Sequence, residues 1–357
     1  MIEAKNSAIG RRTALRGVMA SAAVGALGAR AAWGQAANKR IVLSTWGGDY
    51  GQLLTKHVSV PVLAPRGWEV VNDEAVVAQR KAKLLAEKRL PKGTSDVQAL
   101  TATDIAELQD ANVLEKLDHS RFKNAQNIIK TFSIAETPLL SPHIYSGKML
   151  IYNPKLIKYE PTAIADLWDP RNEGLVGVVD IQHVYTTMAA ALVGGGKTGD
   201  FDKAKKALLD LKKLKPRFYP SNEALAQALQ TEEVGIAIMW KARAVQWQNA
   251  GANIKIVAPK EGIITYVSGF AIPKNAPNKD GSYAFLDAAL EPSVQTGFAE
   301  DLGYNPVIRN ATVKPELQKR IGFSAAEELL FINPDLDFLA RSSGDLKDFW
   351  DKQFKAA

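Results

Sequence analysis

An α/β protein with largely parallel sheets is the fold class that the sequence predicts, on three observations. From residue 40 onward, β-branched runs alternate with segments of helical period in the order β-α-β-α-β. The turns "TWGGDY" and "LTATD" follow two of those runs, at the strand ends where open parallel sheets hold ligands. The alternation then resumes at "GKMLIYNP" with no Gly-, Ser- or Pro-rich linker in between. A length of 357 residues, 46% of them hydrophobic, suffices for two domain cores.

In chain order, "RIVLSTW" reads as a strand ending at the aromatic–glycine turn, and "WEVVNDE" as a second strand. Between them "QLLTKHVSVPVLAPRG" is helical, with breaks expected at Pro61 and Pro65. Residues 75–88 bring Val76, Ala82, Leu84 and Leu85 together at helical spacing with charges opposite, which predicts an amphipathic helix. "SDVQALTATDIAELQDANVL" gives strand, polar turn and helix, with Thr103 before Asp104 as the expected N-cap. The second unit reads strand "GKMLIYNP", Pro-punctuated "PTAIADLWDPRNEG", strand "LVGVVD", helices "TTMAAALVGG" and "DFDKAKKALLDLKKL", and strand "VGIAIMW". In "DFDKAKKALLDLKKL", Ala204, Leu208 and Leu211 predict the buried face, and the lysines a solvated one. "TYVSGFAIPKNAP" is a further strand, "DGSYAFLDAALEPSVQTGFAEDL" a further helix, and two helical segments end at "DLKDFWDKQFKAA".

The 45 Lys and Arg against 38 Asp and Glu give +7. Residues 1–36 hold Lys5, Arg11, Arg12, Arg16 and Arg30 against Glu3, so the remainder carries 40 basic and 37 acidic residues, or +3. That charge needs no nucleic acid to explain it, and no nucleic-acid partner is expected. The absence of cysteine excludes disulfides, thiolate iron–sulfur ligation, cysteine zinc sites and a lipid-modified N-terminal cysteine. His57, His119, His143 and His183 are far apart in sequence, so no metal or other cofactor is expected.

The N-terminus reads as an address. "GRRTALRG" precedes the mildly apolar "VMASAAVGALGA" and then small residues, the pattern of a secretory signal. The apolar run is shorter than the roughly 20 residues a membrane-spanning helix needs, so a membrane-embedded protein is not expected. Arg11, Arg12, Leu15 and Arg16 resemble the twin-arginine pattern, with Gly10 and Ala14 in place of its usual Ser/Thr and Phe; an ordinary Sec signal is the alternative. Cleavage fits after Ala36 or after Ala31, which predicts a periplasmic mature chain.

"GGGKTGD" at 194–200 invites a phosphate-loop reading. That pattern needs a glycine six residues before Lys197, where Ala191 stands, and it opens a helix after a strand. Here the tract follows a helix, so it reads as a helix C-terminus with a glycine turn.

The succession "WGGDYG", "LEKLD", "YNPKLIK", "PTAIADLWDPRNEGLVGVVD", "GIAIMW" and "PKEGIITYVSGFAIPKNAPNKDGSYAFLDAALEPSVQTGFAEDLGYNPV" resembles the periplasmic solute-binding proteins of ABC importers, in their spermidine/putrescine-binding-like family. The resemblance covers about residues 40–350. It implies the two-lobe type II periplasmic-binding fold, with crossing strands as a hinge and a ligand caught in the cleft. On that basis 1–36 is the signal, 37–142 plus 265–330 the first lobe, 143–264 the second, and 331–357 a C-terminal helical segment. The implied partners are a small-molecule solute and an ABC permease with its cytoplasmic ATPase, met by a monomer that is not an enzyme.

Family members line the cleft with an aromatic residue after the first strand. The resemblance therefore assigns Trp46, Gly47, Gly48 and Tyr50 to the site, the glycines letting backbone amides approach a ligand. The other reading of this stretch is a surface turn with Trp46 packed in its lobe. The polyamine pattern, carboxylates around a methylene chain held between aromatic rings, is followed only in part. Asp180 is present, but His183 stands where a second acid is expected. Trp240 is kept, with Arg243 three residues on in place of an aspartate. Tyr266 is kept, with Ser268 in place of an acid; Thr103 replaces a wall aromatic near Thr101, and Tyr304 is kept.

An ammonium buried without a counter-charge costs several kcal/mol, whereas a guanidinium suits bidentate capture of a carboxylate. The expected ligand is a small acid or zwitterion held by Arg243, with Asp180 on an amino group or orienting Arg243, and Lys241 facing solvent. A surface salt bridge is the other reading of Arg243, and a polyamine ligand the alternative to the acid. A ferric-ion site would need an adjacent tyrosine pair, yet Tyr145, Tyr152, Tyr159 and Tyr185 are isolated. An exported enzyme has no supporting motif, Ser268 with His183 included, and a sensory ligand-presenting protein would use the same cleft.

Overall fold

The computed structural model describes residues 39–129 and 138–356. The signal expected over 1–36 lies outside the described residues. The first lobe begins with β1 (Arg40–Thr45), α1 (Asp49–Leu54), β2 (Glu69–Glu74), α2 (Val77–Ala86), β3 (Val97–Thr101) and α3 (Ala102–Leu108). The long strand β4 (Ser141–Tyr152) leads to β5 (Val176–Val179), α4 (His183–Val193), α5 (Phe201–Lys212), β6 (Arg217–Tyr219), α6 (Asn222–Gln230), β7 (Ile236–Trp240), α7 (Lys241–Asn249) and β8 (Lys255–Val257). The chain returns along β9 (Ile263–Ala271) to α8 (Lys279–Ala289), α9 (Pro292–Leu302) and β10 (Asn305–Pro306). It ends with α10 (Pro315–Ile321), α11 (Ala325–Glu328), β11 (Phe331–Ile332) and α12 (Leu336–Phe349).

The strand order β2-β1-β3-β9-β4-β7-β5-β6 is the expected α/β architecture. β1 runs parallel to β2 and β3, and β5 parallel to β6 and β7, while β9 is antiparallel to β3 and β4. β4 belongs to both lobes: its residues up to Gly147 pair with β9, and from Lys148 onward they pair with β7 and β8. Two cores flank this crossing. Ile41, Leu43, Val97, Phe270, Phe285 and Phe298 belong to one, and Val176, Met188, Leu208, Leu225, Ile236 and Trp350 to the other.

Local chemistry explains most elements. Asp200 caps α5 by accepting from the Lys203 amide, and Ala204, Leu208 and Leu211 are its buried stripe, as the periodicity predicts. α4 is buried nearly all round because its alanines bring it close to its neighbours. Three expectations are corrected. Pro61 does not break its helix: the chain continues from α1 through a π-helical stretch, Thr55–Leu63, into a final turn at Ala64–Arg66. A wider winding tolerates a residue that offers no amide hydrogen. The stretch "DGSYAFLDAALEPSVQTGFAEDL" is two helices, with Pro292 at the first position of α9, where a missing N–H costs nothing. The N-cap of α3 is Thr101 in a capping box with Asp104, two residues earlier than Thr103.

The C-terminal helix α12 lies against α3 of the first lobe and delivers Leu339, Leu346 and Phe349 to the second core, and the π-helical turn Trp350–Phe354 that follows adds Trp350. Trp350 is fully buried and donates its indole N–H to Asp180 at 2.7 Å. Trp350→Ala is expected to cost about 3–5 kcal/mol of unfolding free energy, read as a lower urea midpoint at unchanged m-value.

Candidate functional site

The carboxyl ends of β1, β3, β5, β6 and β7 converge on the space between the lobes, the place where parallel α/β sheets hold ligands. From the first lobe comes the turn after β1. Gly48 caps α1 with φ 70°, a left-handed conformation that favours glycine, and a Cβ there would meet nothing within 4 Å. Gly47 is close to Glu74, which leaves a side chain little room. Trp46 is half-buried, edge-on to Tyr50 at 5.3 Å between ring centroids, and the Arg80 guanidinium stacks 4.8 Å from its ring. Trp46 thus packs on its own lobe, and the same turn carries Asp49, whose partner stands on the second-lobe helix α7.

The middle of the site is aromatic. Tyr185 meets Trp240 edge-on at 4.6 Å, Tyr266 lies 4.6 Å from Trp240, and Tyr304 lies 5.8 Å from Tyr266. Around these rings the hydroxyls of Thr45, Tyr185 and Ser268 are buried without a hydrogen-bond partner among the described residues. The Tyr185 hydroxyl lies near that of Thr103, although not aligned for a good hydrogen bond, and burial pushes Tyr185 and Tyr50 up, so both stay protonated. Thr103 itself bonds Thr101 at 2.8 Å.

Arg243, at the start of α7 and 9% exposed, reaches across to the first lobe. Its Nη1 donates to Asp49 Oδ2 at 2.6 Å and to Gln246 Oε1 at 2.9 Å, and its Nη2 to Asp49 Oδ1 at 3.3 Å. Glu223 lies 3.9 Å from Nη2. Only Nε, among the guanidinium nitrogens, has no partner among the described residues. Partial burial alone would raise the Asp49 pKa, but the hydrogen bonds and charge of Arg243 outweigh it and hold the carboxyl below its usual range.

Several expected roles are corrected. Asp180 neither orients Arg243 nor stands free for an amino group: it accepts from Trp350 Nε1 and from Lys355 Nζ, each at 2.7 Å. His183 opens α4 beside Trp350, with ring centroids 5.8 Å apart, and burial lowers its pKa to about 4, so it is neutral at pH 7. Lys241 does not face solvent; it is buried, paired with Glu327 at 3.0 Å and packed over the Phe323 ring. Arg243 is not on the surface.

The sequence reading missed Asp49, Arg80, Lys148, Gln182 and Tyr185. Arg80 is 2% exposed and donates to the carbonyls of Ala75, Ser44 and Ala99, which ties α2 to the ends of β1 and β3. Asp104 accepts from Lys81, which also pairs with Glu107. Lys148 interrupts an apolar strand in "GKMLIY", a legible signal, since a cation in a central strand needs a reason.

The model of the bacterial extracellular solute-binding protein family matches residues 64–325. The spermidine/putrescine-binding periplasmic protein of Escherichia coli K12 is 28% identical over 220 residues, 59% of this chain and 63% of that protein's length, less than two thirds of it. Among solved structures, one described as a GABA receptor superposes with a TM-score of 0.78 at 21% identity, covering 89% of this chain and 98% of that one. AgtB of A. tumefaciens R10, in complex with agropinic acid, gives 0.75 at 21%, covering 89% and 99%. These structural likenesses establish the fold.

Asp49→Asn is expected to loosen the cleft in ligand-free protein, visible as a larger radius of gyration in solution scattering. The loss should be about 1–2 kcal/mol, short of the 3–5 for a fully buried pair, because the Asp49 side chain is 41% exposed. Since the Asp49 pKa is depressed in the folded protein, wild type holds this contribution above the ordinary carboxylate pKa of about 3.9 and loses it as pH falls through the depressed value. The variant should lack that acid-side dependence.

Proposed function

The chain belongs to the bacterial extracellular solute-binding protein family, and on that premise we propose that it is the periplasmic binding component of an ABC importer. It captures a small organic solute between its lobes as a monomer and delivers it to a permease served by a cytoplasmic ATPase. Binding selects the closed arrangement in proportion to the solute's extra affinity for it. The solute carries a carboxylate or another anionic group. One observation supports this above the rest: Asp49, the carboxylate in the turn after β1, is already neutralised by Arg243 in a two-point contact. Asp104 is taken by Lys81, and Asp180 by Lys355 and Trp350. An ammonium entering this space would find no uncommitted acid among these, at a cost of several kcal/mol.

Arg243 contributes by its remaining Nε–H and by cancelling Asp49. Trp46 and Trp240 supply apolar walls, with Gly47 and Gly48 at the rim. Tyr50, Thr101, Thr103, Tyr266, Ser268 and Tyr304 supply polar edges. The neighbours described as a GABA receptor and as an agropinic acid complex are in keeping with an acid or zwitterion. A polyamine is the second reading, favoured by the E. coli relative and by a box of rings suited to a methylene chain.

A thermal-shift screen of the purified protein, unfolded and refolded to strip carried solute, decides between them. Stabilisation by dicarboxylates, aromatic acids, amino acids or phosphonates, with putrescine and spermidine silent, is expected; the reverse makes the protein a polyamine binder. Arg243→Ala is expected to weaken acid binding by roughly 2–5 kcal/mol and, by freeing Asp49, to create a response to putrescine where wild type has none. Unchanged acid affinity in that variant would remove Arg243 both from the solute and from closure of the cleft over it.

A further inference from the structure

We infer that Lys148, and not Arg243, is the charge on which the solute's anionic group sits; this rests on the anionic-solute reading above. The cations around the cleft differ in what already balances them. Arg243 has spent both terminal nitrogens on Asp49 and Gln246. Lys81 has Asp104 and Glu107, and Arg80 lies in the field of Asp104. Lys148 is 2% exposed and has no carboxylate partner among the described residues; its ammonium donates to the neutral side-chain carbonyl of Gln182.

Its position is the one where a parallel sheet presents a ligand. Lys148 is the first residue of β4 on the second-lobe side and pairs in register with Trp240. Its Nζ stands 4.1 Å from the centre of the Trp240 ring, the same ring that Tyr185 and Tyr266 contact. Gln182 follows the carboxyl end of β5 and bonds in turn to Asn222, which follows β6. The N-termini of α4, α6 and α7 all open at these strand ends and add positive potential. The Tyr185 hydroxyl on α4 is buried, its ring packs on Trp240, and it has no well-aligned partner among the described residues, which leaves a donor for an anion's shell. Burial pushes the Lys148 pKa well down in the unliganded protein, the response of an ammonium that lacks a counter-charge.

An anion beside Lys148 supplies the one counter-charge that its ammonium lacks and holds it in the charged form. The solute class is accordingly one with a single anionic group at the inner end and an apolar or weakly polar remainder lying along Trp240, Tyr185 and Tyr266. Asp49 with Arg243 is then the inter-lobe clasp that closes over it.

Titration calorimetry with benzoate, 4-aminobutyrate, glutarate, methylphosphonate and putrescine tests this on wild type, Lys148→Met and Lys148→Arg, with circular dichroism checking each fold. Lys148→Gln takes the place of the Met variant if that one does not fold. The expected result is that an anion bound by wild type loses at least about thirtyfold in affinity with Lys148→Met and is held within about tenfold by Lys148→Arg. Binding by Lys148→Met within about threefold of wild type overturns the role of Lys148 and leaves the anionic-solute reading intact. Binding of putrescine in place of every anion, or no response of wild type to any of the four anions, overturns both.

Discussion

The whole arrangement hangs on one strand that serves two sheets. β4 hands over from β9 to β7 between Gly147 and Lys148, so the lobes share backbone hydrogen bonds at that point. A Cβ at Gly147 would stand 2.4 Å from Ile263, so the handover needs a residue without a side chain. Because strand hydrogen bonds fix register, everything downstream of this point is placed relative to the first lobe: Trp240 beside Lys148, then α7, then Arg243 at the reach of Asp49. The aromatic cluster follows from the same constraint. Tyr266 rides on β9 opposite Ser146 of β4, and so it meets Trp240 from one lobe and Tyr304 from the other.

Around that crossing the side chains balance charge pairwise. Buried ions are tolerated when each has a partner, and the pairs here run between elements far apart in sequence: Asp49 with Arg243, Lys81 with Asp104, Asp180 with Lys355, Lys241 with Glu327. What the balance leaves over among the described residues is the Lys148 ammonium and unpaired hydroxyls, with Asp49, Asp104 and Asp180 already engaged.

Much of the fold was legible before any coordinates. The strands from Arg40, Glu69, Val97, Val176 and Ile236, the helix α2, the buried stripe of α5 and the glycine turn after α4 all follow from period and turn chemistry, which are local. The apolar face expected for α2 does not: Val76, Ala82 and Leu85 are exposed, and Arg80 is buried with Leu84 because its guanidinium finds backbone carbonyls inside. The misreadings are also local in origin. Pro61 reads as a break and Pro292 is passed over inside a single helix, yet the first sits inside a widened helix and the second begins a new one. Thr101 and Thr103 both precede Asp104 at plausible distances; the β-region backbone of Thr101 and its reciprocal bond with Asp104 decided between them. Of the residues singled out, Trp240, Tyr266 and Tyr304 do pack together, and the polar partners of the charged ones were not foreseen. Asp49 sat unremarked inside the very turn that was singled out, and Asp180 was given to the ligand when the C-terminal segment claims it.

The sequence by itself determined the class of fold, the order of its elements and the family, because hydrophobic period and turn residues act over a few positions and survive any tertiary arrangement. Tertiary structure alone decided which charges cancel. Asp49 and Arg243 are 194 positions apart, Asp180 and Lys355 are 175 apart, and nothing local ties either pair together. Electrostatic energy depends on separation in space and on burial, and both are fixed only when β4 and β9 have crossed and the lobes have met.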